Sequence, residues 1–365
     1  MKKFFIICLA VLTVFSVSCQ KKGTANTTGE ITTRLLTDAT GIDDKSFNAA
    51  AWRGILQFYG DTWEYPSHRG YNYDFVTAQT QDMYIPNLRQ ATDEGYDLII
   101  ATGFTWADSL DTVASSNPKQ KYLIIDVDWL SSKNVMQAVY AEHEGSYLVG
   151  VAAALKAIED GISNPRFGFI GGVPGSVITK FEVGYVQGIL SVIPDAQIID
   201  YYVNSWGDPA AAKTQAKNWY DSGVYAIYSA AGGSGNGTIS QAKEYRAAGR
   251  NVWAIGVDSD QFEEGLYNRR DSAVLTSMLK RVESSVVYAL KEVKSGTFKP
   301  NIVTFDLKAE GVGYSIANPA LNEDIISKLE AVREKISSGQ IRVTATLAES
   351  MKLPGFPQNL RAIDD

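Results

Sequence analysis

The stretch Phe167-Gly168-Phe169-Ile170-Gly171-Gly172-Val173-Pro174-Gly175-Ser176 reads as an apolar strand that leaves through a glycine-rich turn into a helix. It stands near the middle of a chain of 365 residues. Just before it, Glu142–Glu159 is an Ala/Val/Leu-rich helical segment and Asp160-Gly161-Ile162-Ser163-Asn164-Pro165 is a cluster of turn formers. A strand-helix alternation that has run from Ile31 therefore breaks and starts again at Arg166. Alternation at this spacing predicts parallel sheets covered on both faces, and the restart predicts two of them.

Outward from the restart, the candidate strands before it are Thr33-Leu36, Tyr73-Thr77, Leu98-Ala101, Tyr122-Asp126 and Val135-Val139. From it onward they are Arg166-Ile170, Gln197-Tyr202, Ala226-Ser229, Trp253-Val257 and Asp271-Thr276. Amphipathic segments at Ser46-Gly60, Asp82-Glu94, Phe104-Asn117, Ser176-Ile193, Pro209-Ser222, Gly237-Ala248 and Lys280-Ser295 supply the other helices. The expected class is α/β, with two Rossmann-like lobes joined by a hinge and a ligand cleft between them, the layout of a bilobed periplasmic-binding protein. The expected division is a first lobe of residues 31–144 plus 275–305, a second lobe of 145–274 plus 306–350, and a C-terminal coil at 351–365. Asp61 to Tyr73 is an aromatic-rich insertion, read either as an outer excursion stacking on itself or as a lid over a ligand.

The first nineteen residues, MKKFFIICLAVLTVFSVSC, carry two lysines, an apolar run from Phe4 to Val17 and small residues before Cys19. This is the pattern of an export signal at 1–18, too short for a comfortable membrane span. Cleavage before Cys19 would leave that cysteine as the N-terminal residue, open to lipidation on its thiol; the usual leucine three places earlier is Ser16, and an ordinary signal-peptidase cut is the alternative. Residues 19–30 are polar and Gly/Thr-rich and read as a flexible tether. Cys8 lies inside the signal, so the exported body is expected to have no disulfide. With 34 Lys and Arg against 41 Asp and Glu the net charge is -7, a poor start for binding nucleic acid.

Enzyme chemistry lacks its parts. The only histidines are His68 and His143, and no HExxH, CxxC or GxSxG pattern occurs, so neither a metal site nor a nucleophile elbow is expected. A hydrolase built on paired carboxylates stays open, since many aspartates stand at strand ends. The run Ala231-Gly232-Gly233-Ser234-Gly235-Asn236-Gly237 resembles a phosphate loop but lacks its Lys-Ser/Thr; its glycines are read as letting backbone approach a ligand or the facing lobe.

What remains is a set of strand ends. Leu35 to Trp52 breaks from a strand into a polar loop with Asp38, Asp44, Phe47 and Asn48, and a helix begins near Ser46, whose hydroxyl is placed to cap it. The other stretches are Ala101-Thr102-Gly103-Phe104, Ile124-Ile125-Asp126-Val127-Asp128, Val203 to Pro209 around Trp206, Ile255-Gly256-Val257-Asp258-Ser259-Asp260-Gln261 and Leu275-Thr276-Ser277-Met278-Leu279-Lys280. Taken singly, each aspartate reads as a helix cap or Asx-turn. Together, Phe47 and Trp206 are suited to sandwich a flat ring, and the aspartates to accept hydrogen bonds from hydroxyls and ring N–H groups. Phosphate does not fit, because Asp38, Asp126 and Asp258 repel it with only Lys280 to offset them.

The motifs Asp43-Asp44-Lys45-Ser46-Phe47-Asn48, Ser205-Trp206-Gly207-Asp208-Pro209-Ala210, the glycine run at 231–237, Gly256-Val257-Asp258-Ser259-Asp260-Gln261 and Leu275 to Arg281 resemble the basic membrane protein family of bacterial substrate-binding lipoproteins, and within it the purine nucleoside receptors. The resemblance spans nearly the whole chain after the signal. It implies a type I periplasmic-binding fold, no cofactor, and delivery of nucleosides, purine nucleosides favoured, to the permease and ATPase subunits of an ABC importer. The protein is then a lipid-anchored monomer on the periplasmic side of the inner membrane or at the cell surface. By motif, the first-lobe carboxylate carries over to Asp38, the stacking ring to Phe47 with Asn48 against the base, and the partner of base N–H groups to Asp126. The ribose aspartate and lysine carry over to Asp258 and Lys280, and the glycine loop to Gly232 and Gly233. The family's second stacking ring is commonly phenylalanine; here it is Trp206. Competing readings are a monosaccharide receptor on the same fold, a surface adhesin lipoprotein with a vestigial cleft, and, most distant, an enzyme cleaving the glycosidic bond.

Overall fold

Leu98–Thr102 (LIIAT) and Tyr122–Ile125 (YLII) are buried at every position, as parallel strands must be when helices cover both faces of their sheet. The computed structural model describes residues 30–364, and in them such runs alternate with helices along the chain. The first half runs β1 (Thr33–Thr37), α1 (Phe47–Tyr59), β2 (Tyr73–Thr77), α2 (Tyr84–Glu94), β3 (Leu98–Thr102), α3 (Ala107–Ser116), β4 (Tyr122–Ile125) and β5 (Val135–Tyr140). The second runs α4 (Glu142–Glu159), β6 (Arg166–Gly171), α5 (Ser176–Leu190), β7 (Gln197–Tyr202), α6 (Pro209–Asp221), β8 (Val224–Ala230), α7 (Gly235–Ala247), β9 (Trp253–Asp258) and β10 (Val274–Lys280). Then follow α8 (Val282–Ser295), β11 (Ile302–Phe305), β12 (Val312–Tyr314), α9 (Glu323–Ser337) and the single turn α10 (Leu347–Ser350).

Two six-stranded sheets result, ordered β11-β5-β4-β3-β1-β2 and β12-β10-β9-β8-β6-β7. Every pairing is parallel except that of β10 with β12. In each sheet the strand order reverses direction at one point, between β1 and β3 in the first lobe and between β6 and β8 in the second. Open α/β sheets hold ligands outside the carboxyl ends of their strands at such switch points.

The chain passes from one sheet to the other after β5, after β10 and after β11. The expected division of the lobes needs one correction here. Residues 275–280 were expected in the first lobe, but they form β10, which lies between β9 and β12 in the second sheet; the crossing falls at Arg281. In the second lobe α4 and α5 lie nearly in backbone contact: a Cβ at Gly184 would stand 2.3 Å from the carbonyl oxygen of His143, and one at Gly188 2.1 Å from that of Tyr147. Their small residues permit this approach, and it fixes α5 against the hinge segment where α4 begins.

Residues 351–364 clamp onto the second lobe. Phe356 is buried against Val183 and Val186, and the Asp364 carboxylate accepts from the first backbone N–H groups of α10. The aromatic-rich insertion lies at the amino ends of the first-lobe strands, where the Thr33 N–H donates to the Asn72 carbonyl at 2.9 Å; it is at the pole opposite the cleft and is no lid. No helix among the described residues is long and apolar enough to cross a membrane. The expected signal at 1–18, the expected lipidation site Cys19 and all but the last residue of the expected tether at 19–30 lie outside the described residues.

Candidate functional site

The strand ends of both lobes converge on a cleft holding about 580 Å³ of space outside the protein atoms, lined among others by Asp38, Phe47, Asn48, Asp126, Trp206, Gly232, Asp258 and Lys280. Gly233 stands just behind this lining. A Cβ there would meet the Trp206 carbonyl at 3.1 Å and the Thr40 methyl of the facing lobe at 3.6 Å.

On the first-lobe wall, Asp38 follows β1. Its Oδ1 accepts hydrogen bonds from the Thr40 N–H (3.0 Å), the Thr40 hydroxyl and the Asn48 amide (3.0 Å). Asn48 also donates to Thr40 Oγ1 at 2.9 Å and accepts from the Thr102 hydroxyl at 2.6 Å. Asn48 thus anchors Asp38 in the cleft wall.

The start of α1 differs from its expected form. The cap is Asp44, whose carboxylate accepts from the N–H groups of Ser46, Asn48 and Ala49 at 2.8–3.0 Å. Ser46 makes no cap bond; its hydroxyl reaches the other lobe and donates to Asp258 Oδ2 at 2.5 Å. Further links close the lobes on the same side: Asn236 Nδ2 donates to the Asp44 carbonyl (3.0 Å), Gln261 Nε2 to the Lys45 carbonyl (3.2 Å), and Ser259 Oγ to the Ser46 carbonyl (3.0 Å). The molecule is in a closed state.

Asp126 directly follows β4 and Asp258 ends β9, with φ of 68° and 63°. Left-handed backbone costs an L-residue about 1–2 kcal/mol, least for Asp and Asn, and at both positions it accompanies a carboxylate turned into the cleft. Between them lies Lys280, 1% exposed. Its Nζ is 2.5 Å from Asp126 Oδ1 and 3.0 Å from Glu142 Oε1, and it sits within 4.9–5.4 Å of the ring centroids of Phe47, Tyr140 and Phe181. Burial pushes the carboxyls of Asp126, Asp258 and Asp44 up to about 6, opposed at the first two by Lys280 and at Asp44 by its backbone donors. At Glu142 burial is outweighed by Lys280 and by Lys180, 3.6 Å away, and its pKa is lowered. Lys280, held by its carboxylates against the cost of burial, is raised. His143, next to Glu142, is lowered to about 4 by burial.

The aromatic wall is set by glycines. A Cβ at Gly172 would lie 2.1 Å from the Trp206 ring, so the indole rests on bare backbone there. The Ser234 N–H donates to the Trp206 carbonyl at 2.7 Å, and the Ser234 hydroxyl to the Ser205 carbonyl at 2.8 Å, pinning the loop that carries the ring. Trp206 meets Phe104 edge-on, with centroids 6.0 Å apart, and Val177, Ile178 and Phe181 from α5 complete the apolar lining. Phe47 stands beside Gly103 on the first-lobe wall, to which Phe104 also belongs.

Sequence reasoning had not singled out Glu142, Phe104, Phe181, Val177 or Ile178. Phe104 stood in a quoted strand-end stretch and was within reach; Glu142 had no sequence signal beyond its place at a helix start. Among the described residues no group of three or more His, Cys, Asp or Glu side chains is arranged to hold a metal ion. The cleft therefore offers flat apolar faces, hydrogen-bond acceptors at its ends and one buried cation.

Comparison with known proteins agrees in kind. The sequence model of the Bmp family, described as ABC transporter substrate-binding protein PnrA-like, matches residues 31–346. The ABC transporter nucleoside-binding protein BmpA of Lactococcus lactis subsp. cremoris is 35% identical over 354 residues, covering 93% of this chain and 98% of that one. Basic membrane protein A of Borreliella burgdorferi is 29% identical over 351 residues, covering 94% and 96%. Among solved structures, an ABC transporter solute-binding protein from Aeropyrum pernix K1 superposes with a TM-score of 0.77 at 26% identity, over 88% of this chain and 95% of that one. A two-lobed α/β fold with its strand ends facing one closed cleft, and a family match over most of the sequence, place the chain in the Bmp family of ABC transporter substrate-binding proteins, which are binding components and not enzymes.

Proposed function

We propose that the protein is a lipid-anchored nucleoside receptor, with purine nucleosides favoured, that hands its ligand to an ABC importer. The observation that carries this reading is the pairing, in one closed cleft, of aromatic faces from both lobes (Phe47 and Phe104 from the first, Trp206 from the second) with buried carboxylates at Asp126 and Asp258. A base attached to a sugar meets both demands: its ring stacks on the aromatic faces, and its N–H and hydroxyl groups donate to the carboxylates. Asp258 and Lys280 are assigned to the ribose, Asp126 and Asp38 to the base, and Gly232 and Gly233 to the close approach of backbone. The nucleoside-binding relative from Lactococcus lactis supports the ligand class, and Cys19 supports the anchor.

Titration calorimetry with inosine, guanosine, adenosine and free ribose tests it. Micromolar or tighter binding of a nucleoside, undisturbed by excess ribose, is the expected result. Absence of heat with all three nucleosides at millimolar concentration refutes it, and binding of ribose in preference to them turns the reading to a sugar receptor.

A further inference from the structure

Trp63, Tyr65 and Tyr71 are 40%, 80% and 77% exposed, and all three lie on the one loop between α1 and β2. The ligand cleft makes no use of them. The loop carrying them is internally braced. The Asp61 carboxylate accepts hydrogen bonds from the Ser67 hydroxyl (2.7 Å), the His68 N–H (2.9 Å) and the Tyr73 hydroxyl (2.5 Å). The Arg69 guanidinium lies over the rings of Trp52 and Phe75 at 5.7 and 4.9 Å. The Asp61 carboxylate is thus satisfied within the loop, while three large rings stand exposed beside the exposed Glu64 and Arg69.

The same loop ends beside the point where the described chain begins, its Asn72 carbonyl accepting from the Thr33 N–H. The Tyr59 hydroxyl donates to the Ile31 carbonyl at 2.7 Å, and the Tyr59 ring packs on His68 and Tyr73 with centroids 5.9 and 4.9 Å apart. Cys19 precedes Glu30 by eleven residues, a length that reaches no farther than about 40 Å in any conformation. A chain anchored at Cys19 therefore keeps this loop near a bilayer. Tryptophan and tyrosine settle at the membrane–water interface, where ring and polar tip are both accommodated, and tethering makes even a weak contact effective.

We propose that the loop at residues 61–72 is a membrane-interface contact, with Trp63, Tyr65 and Tyr71 seated in the headgroup region of the bilayer that holds the chain. The first lobe then stands on the membrane by the pole opposite its strand carboxyl ends, and the cleft is held off the surface. This rests on the lipid anchor in the proposed function, and the test separates the two.

Full-length protein is extracted from membranes and reconstituted into vesicles of phosphatidylcholine and phosphatidylglycerol, with or without brominated acyl chains, and mass spectrometry of its N-terminal peptide reports lipid on Cys19. The emission belonging to Trp63 is obtained by subtracting the spectrum of Trp63→Phe, and that of the remote exposed Trp129 by subtracting Trp129→Phe. The expected result is that the Trp63 component falls by about half in brominated vesicles while the Trp129 component is unchanged. Equal Trp63 emission in the two vesicle types, with the chain tethered, overturns the proposal. Should Cys19 prove unlipidated, the anchor reading falls alone; the thiol is then coupled to a maleimide phospholipid, and the same Trp63 comparison decides for or against the loop.

Discussion

Nucleoside binding is expected to expel protons near pH 6, because burial in the closed cleft pushes the carboxyls of Asp126 and Asp258 up to about 6. A ligand that donates N–H and O–H groups to them favours their ionised forms and draws both back toward the ordinary carboxylate range. At pH 6 each is half protonated, so full binding releases about one proton in all, falling to almost none at pH 8. Requiring both to ionise lowers affinity on the order of tenfold per group at pH 5, so the dissociation constant rises on the order of 100-fold between pH 8 and pH 5. For the empty protein the sign is opposite. The folded state holds protons that the unfolded chain has already released between its ordinary pKa of 3.8 and about 6, so stability is greatest below that window and falls as pH rises through it. Calorimetry in two buffers of different ionisation enthalpy, repeated across this range, measures both the protons and the affinity, and Asp258→Asn should roughly halve the release. A dissociation constant flat from pH 5 to pH 8, with heats independent of buffer, refutes the assignment of these carboxyls to the ligand.

Other changes have distinct expected outcomes. Phe47→Ala removes one stacking face and should cost about 1–3 kcal/mol of nucleoside affinity, with the melting temperature little changed. Gly172→Ala puts a methyl where the Trp206 ring lies, so calorimetry should show the affinity loss of Trp206→Ala although the indole itself is intact. Lys280→Met leaves Asp126 buried without its cation and Glu142 with Lys180 alone; a loss of about 3–5 kcal/mol is expected in denaturant unfolding at pH 7, smaller at pH 5 where Asp126 takes a proton. Ser46→Ala deletes a hydroxyl bond to Asp258 that spans the lobes; it should speed ligand release in stopped-flow measurements by about tenfold, the value of one bond to a charged group.

Much of the architecture was legible because parallel strands buried on both faces are short apolar runs, and several of them, such as β1, β3, β4 and β9, end at or just before an aspartate or glycine. Asp126 and Asp258 were found by that rule. What was not legible depends on partners distant in sequence. Lys280 reads as a cleft residue at the start of a helix, and it does line the cleft, but it is the last residue of β10, and its burial between Asp126 and Glu142, which compensate its charge, has no mark in the sequence. Glu142 in turn reads as a surface acid at a helix N-terminus, and only the fold brings the lysine to it. Ser46 was read as a cap because serine often is one; Asp44, two residues earlier, takes the three backbone donors and frees Ser46 to cross to Asp258. The strands β11 and β12 are short and only partly buried, and they carry no alternation strong enough to mark them.

Lys280 joins two functions that a sequence keeps apart. It lies at the end of β10, just before the chain crosses to the first lobe, and its partner Glu142 follows the crossing after β5, so this pair ties two hinge strands together. Asp126, its other partner, belongs to the first-lobe wall of the cleft. Hinge and ligand site therefore share one buried ion, and any ligand that competes for Asp126 is felt at the hinge. The same cluster sets the ligand's charge. Asp126, Asp258 and Glu142 face Lys280, with Lys180 at the margin beside Glu142, so the site is negative overall. A single added negative charge 5 Å from one unneutralised carboxylate costs about 3 kcal/mol at an effective dielectric of 20. A phosphorylated nucleoside brings more than one such charge, and the cleft should reject it by field alone, before its size is tested.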